Sequence, residues 1–186
     1  MDENTFARFD RAAAAAERLV AGVRPDQWHA STPCTEWTVR QLVNHIVAGN
    51  ALFTSIVTGA PPPDRSQDHL GDDPVAAFRD SVRAVRTALA DDDVLAETYT
   101  MPFGPSPGAG LVEMRVNEFV VHGWDLARAT GQPAAFDDDL AEGCLALMRS
   151  MPMIPRGEGR PFQAERKAPA GSSAVDRLAA YLGRPT

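Results

Sequence analysis

Apolar residues recur along the chain at intervals of three and four, and this spacing predicts helices joined by long loops. Alternating apolar and polar runs, which would predict strands, are scarce. The helices are predicted over residues 5–23, 38–58, 73–90, 112–130, 137–151 and 173–182. We therefore expect an all-α fold, a four-helix bundle with additional short helices, formed by one domain over residues 1–186.

Several helix boundaries carry specific end signals. Thr38 and Gln41 have the spacing of a capping box, Asp73 and Pro74 suit an N-cap and a first helical position, and Gly131 suits the residue after a C-cap. Three long loops remain, over residues 59–71, 102–110 and 151–162. Loops of this length are often functional, and the first two are candidates for the rim of a substrate pocket.

The fourth predicted helix carries an unusual line of polar residues. Arg115, Glu118, His122 and Asp125 follow one another at spacings of three, four and three, which places them on one face. On a wheel of about 100° per residue they are flanked on both sides by apolar residues, so the line is predicted to point inward. A second polar arc is the predicted solvent face, and it consists of Glu113, Asn117 and Arg128.

Two imidazoles and a carboxylate could meet inside this bundle. Glu118 and His122 are four residues apart, and His45 lies at the edge of the apolar sector of the second helix, where Gly49 is expected to leave space beside it. A buried carboxylate and imidazole are costly unless they are paired or bind a metal. Two His and one Glu form the ligand set of a catalytic zinc site with one open position. Ordinary hydrogen bonds of these side chains are the alternative.

Composition narrows the choice of partners. A net charge of −7 and a pI near 5.0 argue against nucleic acid. Cys34 and Cys144 are too few for a disulfide framework, and the first residues do not resemble a signal peptide. No apolar stretch reaches the roughly 18 residues that a membrane span needs. We expect a cytoplasmic protein that does not bind membranes.

Two segments resemble a known family when they are taken together. TPCTEWTVRQLVNHIVAGN and NEFVVHGWDLARATG resemble the DinB-like metal-binding bundles, in the branch named for the mycothiol-dependent maleylpyruvate isomerase N-terminal domain. SSAVDRLAAYLGR resembles the last part of short, stand-alone members. The resemblance implies metal ligands at His45, Glu118 and His122, and a catalytic residue at Asp125, which lies one turn from the pair.

The resemblance also implies a chemistry. Related proteins transfer low-molecular-weight thiols such as mycothiol to electrophiles, so a thiol S-transferase or an isomerase-like enzyme is expected, with zinc or else nickel, iron or manganese. The full isomerase has a further domain that contributes an Arg, and this chain ends at Thr186, so maleylpyruvate isomerisation itself is not expected. Arg115 is the candidate for binding the cofactor, or else forms a structural ion pair. A non-catalytic metal-binding protein (a sensor, scaffold or stress protein) and a metal-dependent hydrolase are the alternatives.

Three further residues lie near these segments. Cys34 precedes the second helix and is either a structural thiol or a nucleophile activated by the helix N-terminus. Trp37 is expected to pack where that helix starts. Trp124 lies on the other side of the fourth helix from the inward line, where it covers a bundle flank or contacts a second copy in a homodimer.

Overall fold

The computed structural model describes residues 3–34, 37–101, 104–151, 156–157 and 162–186. The all-α class is confirmed, with one short hairpin in the part of the chain described. The helices are α1 (Glu3–Ala21), α2 (Val39–Thr58), α3 (Pro74–Ala88), α4 (Asp92–Ala96), α5 (Gly108–Thr130), α6 (Asp138–Ser150) and α7 (Ala174–Tyr181), with a 3-10 turn at Pro25–Gln27. The strands are β1 (Thr98–Met101) and β2 (Gly104–Pro107).

The predicted end signals form as expected. The side chain of Thr38 accepts a hydrogen bond from the Gln41 backbone at 3.4 Å, and the Thr38 backbone donates to the Gln41 side chain at 2.9 Å. Asp73 accepts from the backbone of Ala76 at 3.0 Å. Gly131 ends α5 with a φ of 70°. These bonds satisfy backbone groups that the helix itself leaves unpaired, and they fix where α2 and α3 begin.

The stretch between α3 and α5 differs from the prediction of a loop. It contains α4 and an antiparallel hairpin in which Thr98 faces Pro107 and Met101 faces Gly104, and α5 begins at Gly108 rather than near Val112. The backbone of Gly108 lies so close to that of Val94 that a Cβ would clash there. Both strands have only four residues, and β2 has the sequence GPSP, so they carry almost no periodic signal and packing against α4 and α5 determines this segment.

α5 is the central helix of the bundle and packs against α1, α2, α6 and α7. The predicted solvent face on α5 is therefore wrong for two of its three residues. Glu113 is half-buried and accepts from Arg8 of α1 at 2.9 Å, and Asn117 is also half-buried. Arg128 is exposed, as expected. A helical wheel drawn from the sequence does not show that neighbouring elements cover a helix on nearly every side.

Trp124 covers a bundle flank, and α7 covers Trp124 in turn. Its side chain is 1% exposed, and its indole donates to Asp176 of α7 at 2.8 Å. The Arg128 guanidinium lies 5.2 Å from its ring. The alternative of a contact with a second copy is not available to a side chain that its own chain buries.

A cluster of aromatic rings joins the three helices α1, α3 and α5. The rings of Phe9 in α1 and Phe119 in α5 meet edge to face at 5.4 Å, and Phe78 in α3 lies 6.0 Å from Phe119. All three side chains are fully buried. Phe119 follows Glu118 directly, so this cluster also holds the backbone that carries the carboxylate.

We predict that Phe119→Ala lowers the free energy of unfolding by about 3–5 kcal/mol, because it removes the central ring and leaves a cavity. Urea unfolding followed by circular dichroism measures the change. Phe6→Ala is the control, since Phe6 is only partly buried, and it should cost less than about 2 kcal/mol. Equal losses in the two variants would contradict the role assigned to Phe119.

Candidate metal centre

The structure brings together His45 from α2 and Glu118 and His122 from α5. One ligand atom from each lies within 4.8 Å of the other two. The Glu118 carboxylate is central: its Oε2 lies 3.2 Å from Nε2 of His45 and 3.6 Å from Nε2 of His122. The two imidazole rings are 5.1 Å apart and nearly perpendicular, at 79°. Two nitrogens and a carboxylate oxygen therefore converge on one point, which is the arrangement that a divalent metal needs.

The cluster is more exposed at His45 and Glu118 than at His122. The side chain of His122 is 9% exposed, whereas those of His45 and Glu118 are 20% and 29% exposed. A cavity of about 380 Å³ opens beside His45. It is lined by Trp37, Gln41, Asn44, His45, Ala48, Arg65 and Ser66, so part of the predicted loop 59–71 does form its rim. A small molecule in this cavity would lie next to the imidazole of His45.

Trp37 forms one wall of the cluster as well as packing where α2 starts. Its ring is stacked on the His45 imidazole at a centroid distance of 4.3 Å and an angle of 30°, and it lies 5.7 Å from the His122 ring. Sequence reasoning missed this contact. The position of Trp37 just before the cap of α2 was the signal, because His45 lies two helical turns further along the same helix.

Asp125 lies behind His122 rather than facing the cavity. Its Oδ2 accepts from Nδ1 of His122 at 3.0 Å. Arg184 binds both of its oxygens, from Nε to Oδ1 at 2.9 Å and from Nη2 to Oδ2 at 2.9 Å. The side chain of Asp125 is 0% exposed and that of Arg184 is 5% exposed. Sequence reasoning missed Arg184: it is the last residue of SSAVDRLAAYLGR, and no spacing along the chain relates it to α5.

Arg115 lies beneath Glu118, away from the cavity. Its Nε donates to Asn50 at 2.9 Å, its Nη1 is 4.0 Å from Oε2 of Glu118, and its side chain is 2% exposed. The expectation that Gly49 leaves space beside His45 is wrong, because Arg115 fills that space: a Cβ on Gly49 would lie 3.0 Å from Nη1. The contacts of Arg115 match the structural ion pair that was the alternative to cofactor binding.

The electrostatic balance keeps both carboxylates ionised. Burial raises the pKa of Glu118, but His122, His45 and Arg115 together outweigh it and lower that pKa. Burial likewise raises the pKa of Asp125, and the hydrogen bonds and charges of His122 and Arg184 lower it overall. The pKa of His45 is lowered, chiefly by burial, with Glu118 opposing. Ionised carboxylates and a neutral imidazole are the protonation states that metal binding requires.

The two histidines differ in the hydrogen bonds of their Nδ1 atoms. Asp125 accepts the Nδ1 proton of His122, so Nε2 is the ring nitrogen of His122 that faces Glu118. At His45, Nη2 of Arg65 lies 3.3 Å from Nδ1. Because a guanidinium can only donate, Nδ1 of His45 accepts and Nε2 carries the proton that is shared with Glu118. Nε2 of His122 is thus oriented toward the cluster, whereas a ligand at Nε2 of His45 requires a change of tautomer first.

Cys34 belongs to a second cluster with His122 and Asp125, in which the ligand atoms also lie within 4.8 Å of one another. Asp125 already binds a guanidinium with both oxygens, so we regard His45, Glu118 and His122 as the better metal set. Cys34 is half-buried beside the site, whereas Cys144 is buried and its pKa is raised to about 12 by burial.

Comparison with protein families gives one match that covers most of the chain. The family model for the mycothiol maleylpyruvate isomerase N-terminal domain matches residues 9–127. The chain belongs to this family. The matched range includes α2 and α5 as far as Ala127, and with them the three candidate ligands and Asp125. Arg184 lies outside it.

Relatives within the mycothiol maleylpyruvate isomerase N-terminal domain family include two proteins of Mycobacterium tuberculosis. Uncharacterized protein MT0763 of strain CDC 1551 / Oshkosh and uncharacterized protein Rv0738 of strain H37Rv are each 36% identical to this chain over 176 residues. The alignments cover 94% of this chain and 94% of each relative. The likeness to these relatives therefore covers nearly the whole chain.

Solved structures of a full enzyme share the fold. A crystal structure of the mycothiol-dependent maleylpyruvate isomerase matches with a TM-score of 0.61 at 18% identity, over 77% of this chain and 66% of that chain. A His-to-Ala variant of that enzyme matches with a TM-score of 0.65, over 88% of this chain and 73% of that chain. The chain thus spans about two thirds of the solved enzyme.

Among the helices of the described residues, none has the length and apolar character of a membrane span.

We predict that the metal-free protein loses stability as the pH falls. Below about 6.5, the ordinary pKa of His45, the unfolded chain binds a proton at this residue more tightly than the folded protein does. Below about 4.5 and 3.8, the ordinary values of Glu118 and Asp125, their contributions are lost as well, since both pKa values are lowered by folding.

Urea unfolding at a series of pH values measures this effect. His45→Gln should make the loss of stability between about pH 7 and 5 shallower, because it removes the buried group that resists protonation. His29→Gln, at an exposed position away from the site, is the matched control. The assignment is wrong if the two variants keep the same slope as the parent protein.

Proposed function

We propose that this member of the mycothiol maleylpyruvate isomerase N-terminal domain family binds a divalent metal through His45, Glu118 and His122 and transfers a low-molecular-weight thiol to a small electrophile. The observation that supports the proposal most is the convergence of these three donors, from two helices, beside an open cavity. Mycothiol is the proposed thiol, because the family and the solved neighbours carry its name.

The donor set fits zinc. Two imidazole nitrogens and one carboxylate oxygen leave a coordination position for a guest, as in catalytic rather than structural zinc sites. Nickel, iron and manganese accept the same ligands, and their availability decides which one is bound. The second ligand of the pair, His122, directs Nε2 toward Glu118 through its Nδ1 bond to Asp125, and the ionised Glu118 supplies the negative charge that stabilises a cation.

The bound metal would supply a Lewis acid that favours the thiolate of the cosubstrate over its thiol, which has a pKa near 8.5 in water. The remaining tasks fall to side chains of the protein. Asp125 orients His122 through Nδ1, and its full burial and its two bonds to Arg184 support this role over proton transfer to a substrate. The stacked ring of Trp37 provides a flat apolar wall beside His45 for the organic part of a ligand.

The partners proposed for this protein are therefore a small thiol and an electrophile. A reduced thiol cosubstrate is in keeping with the cytoplasmic location that was predicted from the sequence. Isomerisation of maleylpyruvate is the activity of the solved neighbours and is not proposed for this chain. A homodimer stays a prediction.

We predict that the purified protein contains about one divalent ion per chain and that His45→Ala and His122→Ala each abolish its retention, because each removes one of three ligands. Elemental analysis after dialysis measures the metal. His29→Ala, outside the site, should retain the parental content. Metal content that is equal in all four proteins would contradict the ligand assignment.

We predict that the metal-loaded protein accelerates the reaction of mycothiol with monochlorobimane. The thiol sulfur forms a bond to the CH₂ carbon as the bond to chloride breaks, and the thiol proton passes to the buffer. Chelation of the metal should return the fluorescence rate to background, because the thiolate is then no longer favoured. A protein that retains metal but gives no rate above background would favour the non-catalytic alternative, and ester or amide hydrolysis would favour the hydrolase.

We predict that Arg65→Ala strengthens metal binding by about 2- to 10-fold, because binding at Nε2 of His45 requires the proton to move to Nδ1 and so breaks the hydrogen bond from Arg65. Competition with a chromogenic chelator measures the affinity. Arg40→Ala is the control: Arg40 lies on α2 with His45 but pairs with Asp68, at 2.6 Å. Weaker binding by the Arg65 variant would contradict this account.

A further inference from the structure

Asp125 and Arg184 form the most deeply buried ion pair among the described residues near the site. The guanidinium binds both carboxylate oxygens at 2.9 Å, and the two side chains are 0% and 5% exposed. Such a bidentate pair has a defined plane, so the carboxylate cannot rotate freely about its last bond. The third partner of this carboxylate is Nδ1 of His122, at 3.0 Å from Oδ2.

The segment that carries Arg184 is itself held in place. The backbone of Arg184 donates to Ala179 of α7 at 3.0 Å, and Arg166 binds the Gly183 carbonyl at 2.9 Å. Gly183 has a φ of 86°, a conformation that favours glycine and turns the chain back over α7 just before Arg184. α7 is fixed to α5 by the bond between Asp176 and Trp124. The position of the guanidinium is therefore determined by the packing of α7 against α5.

These contacts form a continuous series from the segment after α7 to the cluster. Arg184 holds Asp125, Asp125 holds Nδ1 of His122, and Nε2 of His122 is thereby directed toward Glu118, whose Oε2 lies 3.6 Å away. Metal-binding histidines commonly depend on such a partner at the other ring nitrogen, which fixes both tautomer and ring orientation. Here the partner is in turn fixed by a residue more than fifty positions away in the chain.

We propose that Arg184 is a positioning residue of the metal centre, and that the segment after α7 completes the site from outside the two ligand helices. This inference rests on the proposed function, since it assumes metal at His45, Glu118 and His122. Arg184 touches neither the cavity nor a ligand atom; it acts only through the orientation of Asp125. A purely structural pair would stabilise the fold in the same way but would leave metal affinity unchanged once the protein is folded.

Chelator competition with Zn²⁺ and the visible spectrum of the Co²⁺-loaded protein test the proposal on the full chain. Arg184→Ala should weaken metal binding by about 10- to 100-fold and alter the Co²⁺ absorption bands, because His122 loses its fixed orientation. Arg184→Lys keeps the charge but cannot bind both oxygens in one plane, so its affinity should be intermediate. Added methylguanidinium should partly restore binding in the Ala variant.

Arg166→Ala is the matched control, because it removes the hydrogen bond to the Gly183 carbonyl, which holds the same segment but does not involve Asp125. It should keep near-parental affinity and an unchanged Co²⁺ spectrum. If it weakens binding as much as Arg184→Ala does, docking of the segment is what matters and the proposal is overturned. Arg177→Ala, at an exposed ion pair with Glu142 on the surface of α7, controls for loss of a positive charge.

The outcomes separate this inference from the proposed function. A parent protein that binds no metal contradicts both. A parent that binds metal, with an Arg184→Ala variant of equal affinity and identical spectrum, overturns only the role of Arg184. Should circular dichroism show that the Ala variant is unfolded, the Lys variant decides: a change in affinity below two-fold with an unaltered spectrum overturns the proposal, and weaker binding with altered bands supports it.

Discussion

The structure depends on an ionised carboxylate held among nitrogen donors in the middle of a helical bundle. Glu118 lies 3.2 Å from one imidazole, 3.6 Å from a second and 4.0 Å from a guanidinium. A carboxylate that is largely shielded from water is stabilised by such partners, because they offset its desolvation. The bundle therefore has to bring α2 and α5 together in one register, and the same register creates the candidate metal centre.

The central position of α5 explains how this is achieved. Its apolar residues form the core with α1, α3 and α6, while each buried charge on it has a partner from another element: Arg115 with Asn50 of α2, and Asp125 with Arg184 after α7. Because these partners lie on separate elements, the polar contacts depend on how each of those elements packs against α5. A site of this kind keeps its geometry only while the whole bundle is intact, which suits ligands that must be held before a metal arrives.

Membership of the mycothiol maleylpyruvate isomerase N-terminal domain family and the geometry of the site both support the proposed function. The solved enzyme shares the fold at 18% identity, and about a third of its length has no counterpart in this chain. Among the described residues, Trp37 and Arg65 line the cavity beside His45.

The local sequence determined the main helices, their caps, and the inward line from Arg115 to Asp125, because helical periodicity and capping act over a few residues. The same periodicity also placed His45 at the edge of the apolar sector of α2, and the resemblance fell on the same three residues, His45, Glu118 and His122. Tertiary structure alone decided that Arg115 fills the space beside Gly49, that Trp37 stacks on His45, and that Arg184 binds Asp125. It also decided the hairpin before α5. The physical reason is the same in each case: these contacts join residues far apart in the chain, and their distances depend on how whole helices pack rather than on any spacing along one of them.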